Sequence, residues 1–129
     1  MKDTLLIQFL TSFFRIFKAE IKSYELVDNI VCGEVGWVDD DDEKQAYRWT
    51  MDESSNAILP NAKLLCDYLY NNNLVEGDRI VISEANLLSN LNNSGWKWND
   101  AKKTVDYLLS FEIKMVDDGE ETDSFFIHI

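Results

Sequence analysis

The N-terminal stretch of the chain places apolar residues at helical spacing. Over residues 3 to 22 they recur every three or four positions, which predicts an amphipathic helix. The apolar side covers roughly 200° of the helix, whereas a surface helix needs a stripe of only about 100°. Its members are Leu5, Leu6, Ile7, Phe9, Leu10, Phe13, Phe14, Ile16, Phe17 and Ile21.

This wide apolar side has two interpretations. In the first, the helix is deeply buried because the segment 29 to 51 folds over its second flank. In the second, the helix meets another copy of the chain, since large apolar patches on proteins usually mark association sites. The second interpretation predicts a homodimer whose interface contains Phe9, Phe13, Phe14, Ile16 and Phe17.

Two strand-like runs follow the first helix. Residues 29 to 38 and 45 to 51 are rich in Val, Ile, Trp and Tyr and flank a strongly polar stretch, which predicts a β-hairpin. Gly33 and Gly36 in the first run indicate a bulge or a close approach of two backbones.

The second half of the chain predicts the order helix, strand, helix, turn, helix, strand, hairpin turn, strand. Pro60 fits the first turn of a helix that ends near residue 70, and Ser83 and Asn99 fit the N-cap positions of the next two helices. We expect the strand at 79 to 82 to pair with the terminal hairpin. The first helix of this half should bury Ala62, Leu65, Cys66 and Leu69.

This order resembles that of a winged helix-turn-helix domain. The segment ISEANLLSNL resembles the entry into the family's second helix, and NDAKKTVDYLLSFEI resembles its third helix running into the first wing strand. The fold prediction is therefore α+β, one domain over 1 to 129, in which an N-terminal helix and hairpin (1 to 59) join a winged-helix-like part (60 to 129).

The resemblance implies that the third helix would enter the major groove of DNA in a DNA-binding member. Its exposed residues would be Asp100, Lys102, Lys103, Asp106 and Tyr107, with Lys97 just before it. The tip of the wing would carry Asp117, Asp118, Glu120 and Glu121. Four carboxylates stand where phosphate contacts require Lys or Arg, which argues against DNA binding.

The charge of the whole chain changes the functional picture further. The 129 residues carry a formal net charge of -12, and a field of that sign repels nucleic acid and anionic membrane surfaces. We expect a basic or neutral protein partner, no nucleic acid and no membrane. The predicted acidic surface consists of Asp39, Asp40, Asp41 and Asp42 together with the four wing-tip carboxylates.

Aromatic and basic residues interleave at one place, around Trp96 and Trp98. The predicted partner-binding residues there are Trp96, Lys97, Trp98, Lys102, Lys103 and Tyr107. The alternative is that one tryptophan fills the core and the lysines only solvate the helix.

Motifs for metal or catalytic chemistry are not found in the sequence. An EF-hand loop that began at Asp39 would need Gly and Glu where Lys44 and Thr50 stand. The single histidine, His128, has no neighbouring nucleophile in sequence, although a triad does not require one. We predict no metal, no cofactor and no catalytic residues, and we read Cys32 and Cys66 as buried apolar residues.

The leading functional hypothesis is a non-enzymatic acidic interaction protein of the inhibitor, immunity or accessory type. The alternative is a dimeric winged-helix DNA-binding regulator, and a small enzyme ranks third. The cysteine pattern and the charged residues within the N-terminal apolar run favour a reducing cytoplasm. In size and acidity the chain resembles the short proteins carried by bacterial mobile gene cassettes.

Overall fold

The computed structural model describes residues 4–27, 30–38, 44–52, 57–117 and 119–129. Helices and antiparallel strands are both present, so the predicted α+β class is confirmed. In chain order the elements are α1 (Leu5–Ile16), β1 (Ala19–Val27), β2 (Ile30–Val38), β3 (Lys44–Asp52), α2 (Leu59–Asn71), β4 (Val75–Glu76), β5 (Arg79–Ile80), α3 (Glu84–Asn93), α4 (Trp98–Ser110), β6 (Glu112–Asp117) and β7 (Glu120–Phe126).

Five strands form one antiparallel sheet in the order β1-β2-β3-β6-β7. The hairpin predicted over 29 to 38 and 45 to 51 is confirmed, because β2 and β3 pair along their whole length. Strand β6 then pairs with β3, where Met115 lies opposite Trp49. The sheet therefore contains strands from both halves of the chain.

Helix α1 is shorter than its apolar pattern predicts. Its first turn is capped by Thr4, whose hydroxyl oxygen accepts the N–H of Ile7 at 3.2 Å. The predicted continuation of the helix to residue 22 is wrong. Lys18 adopts a left-handed backbone conformation with φ 59°, which ends the helix, and the chain enters β1 at Ala19.

The aromatic side of α1 lies between the sheet and the helices of the second half. On the sheet side, the ring of Phe14 is 5.5 Å from that of Phe125. On the helical side, the rings of Phe9 and Phe13 are 4.9 and 5.0 Å from Phe111, which follows α4. Both flanks of the wide apolar side are therefore covered within one chain.

This packing bears on the predicted dimer interface. Phe9, Phe13 and Phe14 are 0% exposed, and Ile16 and Phe17 are half-buried against the core. The exposed aromatic patch on which the homodimer prediction was based is not found, because these side chains pack against other parts of the same chain. The oligomeric state itself stays a prediction, which light scattering coupled to size exclusion would test.

Gly33 marks a close approach inside the sheet. A Cβ atom at this position would overlap the carbonyl oxygen of Ser23 and would lie 3.0 Å from Cζ2 of Trp49. Beside it, the pairing of β1 with β2 shifts between Ile21 and Ser23, so β1 carries a bulge. The close approach predicted at Gly33 is confirmed.

Helix α2 follows its sequence prediction closely. Pro60 lies in its first turn, where the missing N–H costs no hydrogen bond. Ala62, Leu65, Cys66 and Leu69 are all fully buried. The predicted core face of α2 is therefore confirmed.

The caps of the next two helices differ in outcome. Ser83 caps α3 as predicted, because its hydroxyl oxygen accepts a backbone N–H at 3.2 Å. The predicted cap at Asn99 is wrong, since α4 already begins at Trp98. The carbonyl of Lys97 accepts the first helical hydrogen bond, from Ala101 at 3.0 Å, which places Asn99 inside the first turn.

The predicted pairing of residues 79 to 82 with the terminal hairpin is found only as an isolated parallel bridge between Arg79 and His128, beyond the end of β7. Strand β5 pairs with β4 and meets the C-terminal segment through a bridge at His128, whose carbonyl accepts the N–H of Ile80 at 2.7 Å. Strand β6 pairs with β3 instead. The physical reason is length, because β5 has 2 residues whereas β3 presents an edge of 9.

The order of elements from α2 to β7 follows the predicted one, with the short strand β4 in addition. Element order by itself does not establish a family. A winged-helix relationship of this half therefore stays a prediction.

Candidate functional site

The predicted partner-binding cluster near the start of α4 is divided between core and surface. Trp96 is partly buried and packs against the core, and its backbone N–H donates to the carbonyl of Leu91 at 3.0 Å. Trp98 is 50% exposed, and Lys97 and Lys103 are exposed. Trp98 is therefore the aromatic residue of this cluster with the larger accessible surface.

Lys102, another predicted partner-binding residue, is engaged by two carboxylates. Its Nζ lies 2.7 Å from Glu84 and 2.9 Å from Asp106. The hydrogen bonds to Glu84 and Asp106 raise the pKa of Lys102. Its charge is matched within the chain, which weakens its role as a free contact for a ligand.

Tyr107 belongs to the aromatic core more than to the surface. The sequence predicts it among the exposed residues of α4, but it is half-buried, with its ring 6.1 Å from Phe9 and 6.0 Å from Phe111. Burial raises the pKa of the Tyr107 hydroxyl. The expectation of full exposure at this position is corrected, because the wide aromatic side of α1 extends to α4.

Much of the predicted acidic surface lies outside the described residues. That group consists of Asp39, Asp40, Asp41, Asp42 and Asp118. For Asp117 and Glu121 the structure describes the backbone of β6 and β7. Glu120 is exposed, as predicted.

The single histidine faces a carboxylate. His128 Nε2 lies 3.1 Å from Asp78 Oδ1, and about half of each side chain is exposed. The ring of Phe126 is 6.0 Å from the ring of His128. In the part of the chain that the structure describes, no group of three or more His, Cys, Asp or Glu side chains is placed to hold a metal ion.

One face of the five-stranded sheet has no helix packed on it in the described part of the chain. Helix α1 covers the other face, and the alternate residues of each strand lie on what we call the uncovered face. In β2 the alternation is clear, since Val31 and Val35 are buried whereas Ile30 and Glu34 are exposed. Exposed side chains on the uncovered face include Glu25, Ile30, Glu34, Glu112, Lys114 and Phe126.

Apolar and acidic side chains share one row of this face. When the register of the Trp49 and Met115 pair is continued along β3 and β6, Glu112 comes to lie in the same row across the sheet as Ile30 of β2. Phe126 lies directly opposite Glu112. Ile30 and Phe126 are 42% and 41% exposed, and three strand spacings separate them by about 14 Å.

A second candidate region is a groove between α1 and the edge strand β1, here called the α1–β1 groove. Its volume is about 860 Å³. One side consists of Ile7, Thr11, Arg15 and Lys18, another of residues 19 to 24, and Tyr70 of α2 also lines the groove. Sequence reasoning missed this groove, because it depends on β1 and on the contact of α1 with α2.

The groove concentrates positive charge in a strongly acidic chain. Lys18 and Lys22 are exposed, and Lys22 Nζ lies 3.5 Å from Glu20. The ammonium of Lys18 forms no ion pair with any described residue. Arg15 stacks over the ring of Tyr70 at 4.3 Å from its centre.

Arg15 is held in place by the packing of α1 on α2. Its guanidinium lies 3.0 Å from Asp67, and Lys63 approaches the second carboxylate oxygen at 2.7 Å. Burial opposes ionisation of Asp67, but hydrogen bonds from Lys63 and Ser12 and the charges of Lys63 and Arg15 outweigh it and lower the pKa of Asp67. This network fixes one wall of the groove.

The described helices include none that combines the length and the apolar character needed to cross a bilayer. Protein-family models, curated proteins and solved structures were compared with the chain, and none of them matches it.

Proposed function

We propose that the chain is a non-enzymatic interaction protein that binds a basic protein partner through the uncovered face of its sheet. The observation that supports this is the combination of exposed Ile30 and Phe126 with exposed carboxylates on that face. Protein interfaces bury an apolar centre within a polar, charged rim. The uncovered face offers both kinds of side chain.

The charge of the chain supports a basic partner. Glu25, Glu34 and Glu112 contribute three exposed carboxylates to the uncovered face, within a chain of net charge -12. A field of that sign accelerates encounter with a positively charged protein and disfavours acidic competitors. Association with the partner should therefore weaken as salt is added.

We propose that this partner is met in the cytoplasm. Cys32 and Cys66 are both free thiols, and free thiols persist in reducing compartments. An oxidising compartment would expose the partly accessible Cys32 to disulfide exchange.

The test is affinity capture from host lysate with two matched double variants. Glu25→Lys with Glu34→Lys reverses charge on the uncovered face, whereas Glu76→Lys with Asp100→Lys makes the same charge change at exposed positions elsewhere. We expect the wild type and the second variant to retain a basic protein, identified by mass spectrometry. The first variant should retain on the order of tenfold less, because each reversed pair turns attraction into repulsion.

Two results would contradict the proposal. One is equal capture by the wild type and by the variant of the uncovered face. The other is equal loss in both double variants, which would show that only total charge matters. Circular dichroism of both variants establishes beforehand that they fold.

The second candidate, a DNA-binding regulator, is favoured only by the element order of the second half. Of its predicted contacts, Lys102 is already paired with Glu84 and Asp106. We therefore expect no appreciable binding of duplex DNA at physiological salt, measured by fluorescence anisotropy with mixed duplexes. Saturable sub-micromolar binding that weakens with salt would favour this candidate over the interaction protein.

A further inference from the structure

We infer that the α1–β1 groove binds an acidic peptide segment in extended conformation. The inference goes beyond the proposed function, because it concerns a different surface with the opposite charge. It rests on four features of the described residues: the shape of the groove, the outer edge of β1, the charge of the groove and the backbone conformation of Lys18.

The shape favours an extended chain. Residues 19 to 24 line one side and span about 20 Å at the rise of a strand. The α1 side, from Ile7 to Lys18, runs for about 16 Å at the rise of a helix. A groove that is long on both sides fits a segment of about six extended residues better than a compact molecule.

In the part of the chain that the structure describes, no strand pairs with the outer edge of the strand that borders the groove. Strand β1 is the outermost strand of the sheet, with β2 as its neighbour on the other side. Edge strands present backbone N–H and C=O groups that an added peptide strand can pair with. The bulge between Ile21 and Ser23 limits indiscriminate pairing along this edge, so side chains must supply much of the recognition.

The side chains select for carboxylates. Lys18 is exposed and has no ion-pair partner among the described residues, so it carries most of the unmatched positive charge. Lys22 and Arg15 add two cations that are paired with Glu20 and Asp67, and Glu20 also lines the groove. The groove is also lined by Ile21, which is only partly buried and provides apolar surface. An extended peptide that alternates acidic and apolar residues matches this surface, because its successive side chains lie on opposite faces.

Lys18 provides an independent indication. It adopts a left-handed φ of 59° at the end of α1, a position where glycine is the usual residue. Lysine carries a conformational cost there that glycine would not, while its side chain lines the groove. Such strain is typical of residues kept for function.

The experiment is a fluorescence anisotropy titration of the full chain with a labelled peptide of alternating Glu and Val. Three further peptides serve as probes. One replaces Glu by Lys, one is N-methylated at alternate residues to remove backbone donors, and one has the same composition in scrambled order. Inorganic pyrophosphate is added as a competitor to identify a site for small anions.

Two variants test the residues. Lys18→Gly combined with Lys22→Gln removes two of the three cations of the groove, and Lys103→Gln with Lys97→Gln removes two exposed cations in and just before α4. We expect the first pair to weaken peptide binding about tenfold or more and the second pair to leave it unchanged. Lys18→Gly alone should raise the midpoint of urea unfolding, so weaker binding would not reflect a loss of folding.

Support requires saturable binding of the alternating Glu peptide, weaker binding of the Lys, scrambled and N-methylated peptides, and loss with the groove variant. Absence of binding, equal loss in both variants, or equal affinity for the N-methylated peptide would overturn the inference. Displacement by pyrophosphate at similar affinity would also overturn it in favour of a small-anion site. Because Glu25 and Glu34 lie elsewhere, failure here leaves the test of the uncovered face unaffected.

Discussion

Gly33 is the residue at which the sheet tolerates least change. Because a side chain there would overlap the backbone of Ser23 and press on Trp49, Gly33→Ala should destabilise the protein by about 1 to 3 kcal/mol. Urea unfolding followed by tryptophan fluorescence measures the change.

The control for this substitution is Gly77→Ala. Gly77 has a positive φ of 65°, but no atom lies within 4 Å of an added Cβ. Gly77→Ala should therefore destabilise the protein through backbone strain alone, by about 1 kcal/mol. Unchanged stability of Gly33→Ala, with the loss in Gly77→Ala still present, would contradict the close approach at Gly33.

The two cysteines should differ in reactivity. Burial raises the pKa of the Cys66 thiol, and the neighbouring charge of Asp67 acts in the same direction. Cys32 is partly exposed. We expect one thiol to react rapidly with Ellman's reagent at about pH 8 and the second only after denaturation, because the thiolate is the reactive form.

The control for the thiol experiment is Cys32→Ser. In this variant the rapid phase should vanish while the total number of thiols in denaturant falls by one. Two rapid phases in the wild type would contradict the burial of Cys66.

At the scale of elements, the contact of α1 with α2 depends on Asp67. Asp67→Asn removes its ion pairs with Arg15 and Lys63, and we expect a loss of about 1 kcal/mol at neutral pH. The pKa of Asp67 is lowered in the folded protein, so its contribution exists above the ordinary carboxyl pKa of about 3.9 and is lost as pH falls below it.

The measurement is urea unfolding of both proteins at neutral and at acidic pH. The difference in midpoint should shrink as Asp67 becomes protonated. A difference that is independent of pH would mean that the substitution acts through packing and not through charge.

The elements that could be predicted from the sequence are those with uninterrupted periodicity. The buried face of α2 and the hairpin of β2 and β3 have a regular pattern and capping or turn residues at their ends. Strand β1 was missed for two reasons. The apolar spacing of Phe17 and Ile21 continues that of the helix, and the bulge after Ile21 interrupts the strand alternation.

The candidate sites were less accessible from the sequence. The local sequence pattern indicated Trp96 and Trp98 as candidate binding residues. Only the packing of α3 and α4 shows that Trp96 is partly buried and that Trp98 is exposed. The uncovered face depends on the pairing of β3 with β6, and the α1–β1 groove depends on the turn at Lys18. Both are long-range or strained features without a sequence signature.

At the scale of the molecule, the second half should not fold alone. A fragment of residues 60 to 129 would lack β3, the partner of β6, and α1, whose Phe9 and Phe13 pack on Phe111. We expect the fragment to show no cooperative thermal unfolding, whereas the full chain unfolds in one transition. Circular dichroism of both proteins is the measurement, and a sharp transition of the fragment would show that the second half folds on its own.

The pairing of β3 with β6 also has a consequence for the order of events during synthesis. Met115 follows Trp49 by 66 positions in the chain, and ribosomes add about 5 to 20 residues per second. The edge of β3 therefore stays unpaired with β6 for roughly 3 to 13 seconds after β3 has been translated. During this interval a nascent chain exposes an unpaired strand edge, a feature that makes a partly folded chain prone to aggregation.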